Sequence, residues 1–428
     1  MPTDHPASPL QLARRFRQDP LLRNSAIYLT GGLLAGLFGY VFHFVTGRLL
    51  GPAGYSVVAA AIAALSLVTL PSVVLQLVSA RYTSVAAATG KLAGLPPLLL
   101  RISGVTLLFG VPLMLLLAAF APAAARFFNI PDTRVVYVLA MGGIVSLLVT
   151  ITRGALQGLR RFFALSGNAL VDAVSRVLLA GAFVAAGFGI LGAVAALMLS
   201  PLIAYLQSLY LLRHLGAIGG NRERADGLGR YALLAATAGI GVTYLFTVDT
   251  LLAKHYLDAT EAGIYAAASV LGRVVYFLGL TVAGVMFPEV ATLHARNEAH
   301  FHVVDRSFLL VSAMGVLLVI AYAAMPGLVL LPYGSSFTPV RPYLTVFAVA
   351  LTLLALSNLV INYFLSVARS GFVVPLFAAC VLETVLIVLF HSGIWQIIAM
   401  VMVSLGALLA ATLLLYCGDR LGWRPAPG

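Results

Sequence analysis

Twelve apolar runs of about twenty residues, separated by short polar stretches, leave this chain few ways to fold. They fall at approximately 25–47, 54–80, 97–120, 134–156, 166–187, 189–212, 231–252, 263–287, 306–326, 342–366, 372–391 and 394–417. At about 1.5 Å of rise per residue, each is long enough to cross a hydrocarbon core of roughly 30 Å as a helix. Lipid offers the backbone no hydrogen-bond partner, so a spanning segment must be a helix or part of a closed barrel. A barrel is excluded, because the runs are about twice the length of a membrane strand and lack period-two alternation. The expected fold class is therefore an all-α polytopic membrane protein with about 12 transmembrane helices.

Composition agrees. The chain is 61% hydrophobic and 9% charged, with a mean hydropathy of +1.03, more apolar than one soluble core can hide. No room is left for a soluble catalytic domain. The formal charge of +12 would suggest nucleic acid on a soluble protein, but its distribution argues otherwise. Five of the 26 Lys and Arg (Arg48, Arg126, Arg134, Lys254, Arg341) fall on one side of the spans. Three (Arg101, Arg176, Arg273) fall within spans, and the rest share the side of both termini. Positive charge stays cytoplasmic during insertion, so both termini are expected in the cytoplasm and no nucleic-acid partner is expected. Residues 1–24 carry Arg14, Arg15, Arg17 and Arg23, and GRLLGPAGY after the first apolar run offers no convincing signal-peptidase site. The first span is expected to remain as an uncleaved anchor. Cys380 and Cys417, both in apolar runs, read as small apolar residues rather than a disulfide or zinc framework.

The polar, Gly-rich segment 213–230, RHLGAIGGNRERADGLGR, divides the spans six and six. Weak internal repeats flank it. GRLLGPAGYSVVAAA (47–61) follows the first span as AKHYLDATEAGIYAAAS (253–269) follows the seventh. LQGLRRF (156–162) precedes the fifth span as LSVARSGF (365–372) precedes the eleventh. The organisation expected is a cytoplasmic basic segment (1–24), an N-lobe (25–212), a cytoplasmic linker (213–230), a C-lobe (231–417) and a cytoplasmic tail (418–428). The two six-helix lobes would be pseudo-symmetric.

Charges inside the membrane are the candidates for function. A charged side chain at a helix centre costs roughly 2.5–3.5 kcal/mol on insertion scales, so it faces a bundle interior or water. In the fifth span Asn168, Asp172, Ser175 and Arg176 share one helical face. Two readings are open: an Asp172–Arg176 pair that neutralises itself, or a cavity lining whose positive head meets cargo. Arg273, midway along the eighth span with Ser269 and Tyr276 on its face, has no acid within four positions. It needs either Glu383 or Asp172 from another helix or an anionic group of the cargo. Glu383 is central in its span and reads as counter-ion or proton-coupling site. Asp249 reads as a solvated helix terminus or a second coupling acid. Arg101 can snorkel to the interface. His43, with Gly32, Gly36, Gly39 and Tyr40 on its face, reads as a close helix contact. Pro71, Pro112, Pro201 and Pro375 are expected to kink their spans. His294, His300 and His302 lack supporting ligands, so no metal is expected.

No nucleophile–base arrangement, P-loop or metal motif is present in the sequence, and the longest external loop, 327–341, is about 15 residues. The chain reads as a non-enzyme without cofactor, and any active transport as secondary.

GRLLGPAGYSVVAAA (47–61), TRGALQGLRRFFALSGNAL (152–170) and VMFPEVATLHARN (285–297) resemble the polysaccharide-transporter branch of the multidrug/oligosaccharidyl-lipid/polysaccharide exporter (MOP) superfamily. Ser56 stands where that family usually has Gly, and Gly263 keeps it in the second repeat. The resemblance implies two six-helix lobes around a central cavity that opens alternately to each face. It implies a flippase for polyprenyl-pyrophosphate-linked oligosaccharides in the bacterial inner membrane. Arg273, Arg176, Asp172, Asn168 and Tyr276 would contact the cargo, with Glu383 and Asp249 as possible ion-coupling residues. Partners implied are membrane lipids and a polysaccharide polymerase or glycosyltransferases. The peptidoglycan-precursor flippases are similar in placing an arginine on the eighth span, which Arg273 matches. Drug-extruding relatives often carry an acid in the first span, and residues 25–47 have none. A secondary exporter of small amphiphiles and a non-catalytic scaffold of a polysaccharide synthesis complex remain as alternatives.

Overall fold

Backbone groups that lipid cannot satisfy are satisfied inside helices, and among the described residues no strand occurs. The computed structural model describes residues 20–90, 94–213 and 229–421. The expected basic segment 1–24, linker 213–230 and tail 418–428 lie largely outside them. In chain order the helices are α1 (Pro20–Val68), α2 (Ser72–Ala88), α3 (Leu95–Ala119), α4 (Ala121–Phe127), α5 (Arg134–Gly158), α6 (Phe162–Phe183) and α7 (Gly189–Leu212). There follow α8 (Gly229–Leu245), α9 (Val248–Tyr256), α10 (Ala259–Ala295), α11 (Phe301–Ala324), α12 (Pro326–Leu330), α13 (Leu344–Ser366), α14 (Val373–Leu389) and α15 (Ile394–Arg420).

Nine helical stretches among the described residues are long and apolar enough to cross a bilayer. Thr30–Val68 holds the first span and most of the second, and Phe162–Leu212 holds the fifth and sixth. Val373–Leu389 is a shorter apolar helix that holds the eleventh. The all-helical, twelve-span reading of the sequence therefore stands. Gly51, at φ 67°, bends α1 where the first two spans join, a conformation that a residue with a Cβ adopts at a penalty.

The prolines behave unequally. Pro71 stands at the N-cap of α2, with residues 69–71 interrupting the second span. Pro112 and Pro201 lie inside continuous helices. Pro375 does not kink its span: it occupies the first turn of α14, where no intrahelical N–H bond is lost.

Two apolar cores form. One gathers α8 to α15 through residues such as Leu245, Leu271, Phe347, Leu359 and Ile397. The other gathers α5 and α7 through Leu139, Ala193, Val194 and Leu197. Helix α1 serves both, with Tyr55 and Ala59 in the first core and Phe42, Val57 and Ala61 in the second. Lipid tails are as apolar as leucine, so packing and interhelical hydrogen bonds hold these cores rather than exclusion from water.

Corresponding turns close the same way in the two halves. Arg160 and Ala368, each two residues past a helix end, take left-handed φ values of 55° and 54°. Arg161 N donates to Leu156 O and Arg369 N to Phe364 O, both at 2.9 Å. This is the helix-terminating pattern in which an N–H reaches back to a carbonyl five residues earlier.

The lobes are tied at the end that carries residues 327–341. Gly263 of α10 packs so closely on α1 that a Cβ there would strike the Pro52 carbonyl. Tyr55 Oη lies 3.5 Å from Tyr333 Oη. The ring of Phe127 stacks on His255 at 3.9 Å, and Asn129 Nδ2 donates to the His255 carbonyl at 3.0 Å. The expected external loop 327–341 is folded into this seal, with Tyr333 and Phe337 fully buried. At the N-terminal part of α1 the opposite holds. Gly32, Gly36 and Gly39 meet nothing within 4 Å of an added Cβ, so the close helix contact expected there is absent.

Candidate functional site

The N-lobe cluster grows from the polar face of α6. Asp172 Oδ1 accepts from Arg176 Nη2 at 2.9 Å, one turn on along the same helix. Its other oxygen, Oδ2, accepts from Arg153 Nη2 of α5, also at 2.9 Å. Arg153 Nε donates to Asn168 Oδ1 at 2.8 Å, and Arg176 Nε to Ser200 Oγ of α7 at 3.2 Å. Asn168 Nδ2 donates to the Ala204 carbonyl (2.6 Å) and to Gln207 Oε1 (2.9 Å). Ser175 turns back onto its own helix, donating to the Asp172 carbonyl. The Asp172 side chain is 10% exposed, whereas Arg153 and Arg176 keep 18% and 29%. Arg153 is a correction to the sequence reading, which placed it with the cytoplasmic charges. It sits near the C-terminal end of its span, and a long side chain carries its charge toward the middle of the bundle.

The C-lobe cluster forms where the seventh span breaks. Phe246 and Thr247 separate α8 from α9, which frees the Phe246 carbonyl. Arg273 Nη2 donates to that carbonyl at 2.8 Å and to Thr250 Oγ1 at 3.3 Å, with its guanidinium 4.3 Å over the Phe246 ring. Its Nε is buried without a partner. Neither Asp172 nor Glu383 pairs with Arg273: Asp172 is taken by two other arginines. Tyr276 is buried, its ring 4.8 Å from that of Phe246.

Asp249 is not a solvated terminus. The helix break places it in the first turn of α9, buried, where the positive end of the helix dipole favours a carboxylate. Tyr265 Oη donates to it at 2.9 Å, Ser269 Oγ at 3.5 Å and Thr250 Oγ1 at 3.2 Å. Glu383 is fully buried in α14 with one long bond, from Ser404 at 3.5 Å, and Oε1 has no partner.

The two clusters converge on α1. Helix α1 packs on both α6 and α10, the helices that carry Arg176 and Arg273. Tyr55 Oη and His43 Nδ1 are 2.8 Å apart. The motif tyrosines Tyr55 and Tyr265 thus do equivalent work, each fixing a polar residue of the preceding span. Tyr40, beside Phe277 at 6.5 Å, carries a buried hydroxyl with no partner. Sequence reasoning missed Tyr40 as a site residue, and nothing local to its helix marks it. Two clefts lie away from this chemistry. One of about 340 Å³ opens beside the Asp132–Arg134 pair, and one of about 770 Å³ is an apolar groove along α14.

A broken span, buried charge in each lobe and a shared first helix define a polytopic membrane protein with the fold of the MOP-superfamily transporters. The inward-facing conformation of a multidrug resistance MATE family transporter superposes with a TM-score of 0.75 at 13% identity, covering 94% of this chain and 99% of that one. The outward-facing conformation of a MATE transporter gives 0.58 at 14% identity over 95% and 97%. A MOP transporter from Pyrococcus furiosus, described by the reverse polarity of its binding pocket, gives 0.58 at 14% identity over 93% and 95%. No match is found among curated proteins. The chain belongs to the polysaccharide biosynthesis protein family, whose model matches residues 21–294.

Proposed function

We propose that this chain is a flippase, carrying a polyprenyl-pyrophosphate-linked oligosaccharide across the bacterial inner membrane for surface polysaccharide biosynthesis. The observation that carries the proposal is a partly exposed pair of guanidinium groups, Arg153 and Arg176, held in the N-lobe by one carboxylate, with Arg273 on the C-lobe helix that packs against the same α1. Stripping water from an anionic headgroup costs many kcal/mol, and charge-assisted hydrogen bonds replace that water inside the membrane. Arg176 serves the headgroup from the N-lobe, with Asp172 and Asn168 positioning it and its neighbour Arg153, and Arg273 with Tyr276 supports the C-lobe side. The polyprenyl tail stays in lipid. The cargo enters from a state open to the cytoplasm, and the higher TM-score with an inward-facing transporter supports reading the present conformation in that way. Rocking of the lobes then exchanges access. Asp249 and Glu383 are the ion-coupling candidates, as buried acids beside a broken helix. Both termini are cytoplasmic, and a polymerase or glycosyltransferases at the membrane handle the same carrier.

In Arg273→Ala protein that still reaches the membrane, export of the polymer is lost; normal surface polysaccharide in that strain overturns the role of the residue. Native mass spectrometry of the purified protein tests the cargo directly by identifying the lipid that co-purifies. The likeness to multidrug transporters favours, as a second reading, export of small amphiphiles. Drug resistance on expression, unaffected by loss of polyprenyl-linked sugars, would select it.

A further inference from the structure

Two guanidinium groups share one carboxylate in the N-lobe, and the arrangement is not neutral. Arg153 and Arg176 each donate from one Nη2 to Asp172, leaving the trio with one formal positive charge in excess. A guanidinium has five N–H donors. Arg153 spends its Nε on Asn168 and Arg176 its Nε on Ser200, so each keeps three donors, both Nη1 hydrogens among them, without an acceptor among the described residues. Those Nη1 atoms are not enclosed, and the side chains remain partly exposed. Around them the supports are rigid. Asn168 and Ser200 are fully buried, and Asn168 is itself held by Ala204 and Gln207.

We propose that Arg153 and Arg176 form an oxyanion cradle that binds a phosphoryl group, with Asp172 setting their spacing and holding the net charge to one. The inference rests on the flippase reading and locates the pyrophosphate of the cargo in the N-lobe. Paired planar forks suit tetrahedral oxyanions, because each can present two parallel N–H groups to two oxygens. Arg273 is differently placed: its Nη2 is spent on the Phe246 carbonyl and Thr250 and its Nε is enclosed, so it braces the broken span. Asp172 limits the affinity, so that an anion taken up from the cytoplasm can leave on the other side. The oxyanion could come from the carrier's pyrophosphate or from the carboxylate of an acidic sugar, and the test separates them.

Inorganic pyrophosphate and glucuronate are titrated calorimetrically into the full-length protein in lipid nanodiscs. Pyrophosphate binds, and glucuronate binds at least about tenfold more weakly. Arg153→Lys and Arg176→Lys keep the charge, remove the fork and weaken pyrophosphate by about tenfold, the loss of one charge-assisted bond. Asp172→Asn raises the cradle charge and tightens pyrophosphate while steepening its salt dependence, which a merely structural ion pair would not do. Should Asp172→Asn fail to fold, the two lysine variants, checked by size exclusion, decide. Unchanged pyrophosphate affinity in the lysine variants overturns the cradle, and glucuronate binding as tightly as pyrophosphate overturns the phosphoryl assignment. Transport of lipid-linked oligosaccharide that persists in the double lysine variant sinks the cradle but leaves the flippase standing. Cradle-dependent pyrophosphate binding without any such transport does the reverse.

Discussion

Arg153 and Asp172 meet at 2.9 Å across the interior of the N-lobe, from two helices that otherwise touch little. Arg176 holds the second oxygen of the same carboxylate at an equal distance. A single acid therefore organises two cations that would repel each other without it.

Removing the acid and removing one cation are unequal operations. Arg153→Ala leaves a neutral Arg176–Asp172 pair, whereas Asp172→Ala leaves two facing guanidinium groups. Asp172→Ala should destabilise by about 3–5 kcal/mol and Arg153→Ala by clearly less. The midpoint of thermal unfolding of purified protein reads the difference; equal shifts would show that Asp172 is not the hub.

Tyr55 carries the hydroxyl between His43 and Tyr333 and so helps to close the end that carries residues 327–341. Tyr55→Phe should weaken that closure by roughly 1 kcal/mol, the net worth of a hydrogen bond. Spin labels at Asn129 and Asp258 would then show a larger long-distance population by pulsed electron paramagnetic resonance. An unchanged distance distribution counts against the relay.

Gly263 faces the Pro52 carbonyl with no space for a side chain. Gly263→Val should hold the lobes apart there. With Cys380 and Cys417 replaced by Ala, a cysteine in place of buried Ser56 should be inert to an impermeant thiol reagent in the parent and reactive in the valine variant. Equal reactivity would mean that the lobes close without this contact.

Arg273 caps the carbonyl that the break in the seventh span exposes. Arg273→Ala should speed amide hydrogen exchange across residues 245–250, leaving the rest of α8 protected. Lysine offers one point charge and no planar stacking on Phe246, so Arg273→Lys should restore protection only in part. Exchange unaltered in both variants would remove the bracing role.

Glu383 has one long hydrogen bond and no cation beside it. An isosteric Glu383→Gln removes a buried acid without leaving a charge unpaired, so thermal stability should hold or rise. Transport should at the same time lose its dependence on the coupling ion. A large loss of stability would instead assign Glu383 a structural counter-ion role.

The sequence by itself determined the number of the spans, the all-helical class and the placing of Asp172, Arg176, Arg273 and Glu383 within spans. Lipid permits no other backbone solution for such runs. It also placed Asn168, Asp172 and Arg176 on one face, since helical period fixes neighbours within a helix. Only the tertiary structure decided which helices meet. Arg153 reaches Asp172 from another span, Asp249 is buried because its span breaks at Phe246, and Gly32, Gly36 and Gly39 face open space rather than a partner. The physical reason lies in the solvent. In water a polar outer face reveals which side of a helix packs inward, but in a bilayer the lipid-facing and core-facing sides are equally apolar. Pairing is then set by side-chain fit and by polar contacts between residues far apart in the chain, which no local pattern encodes.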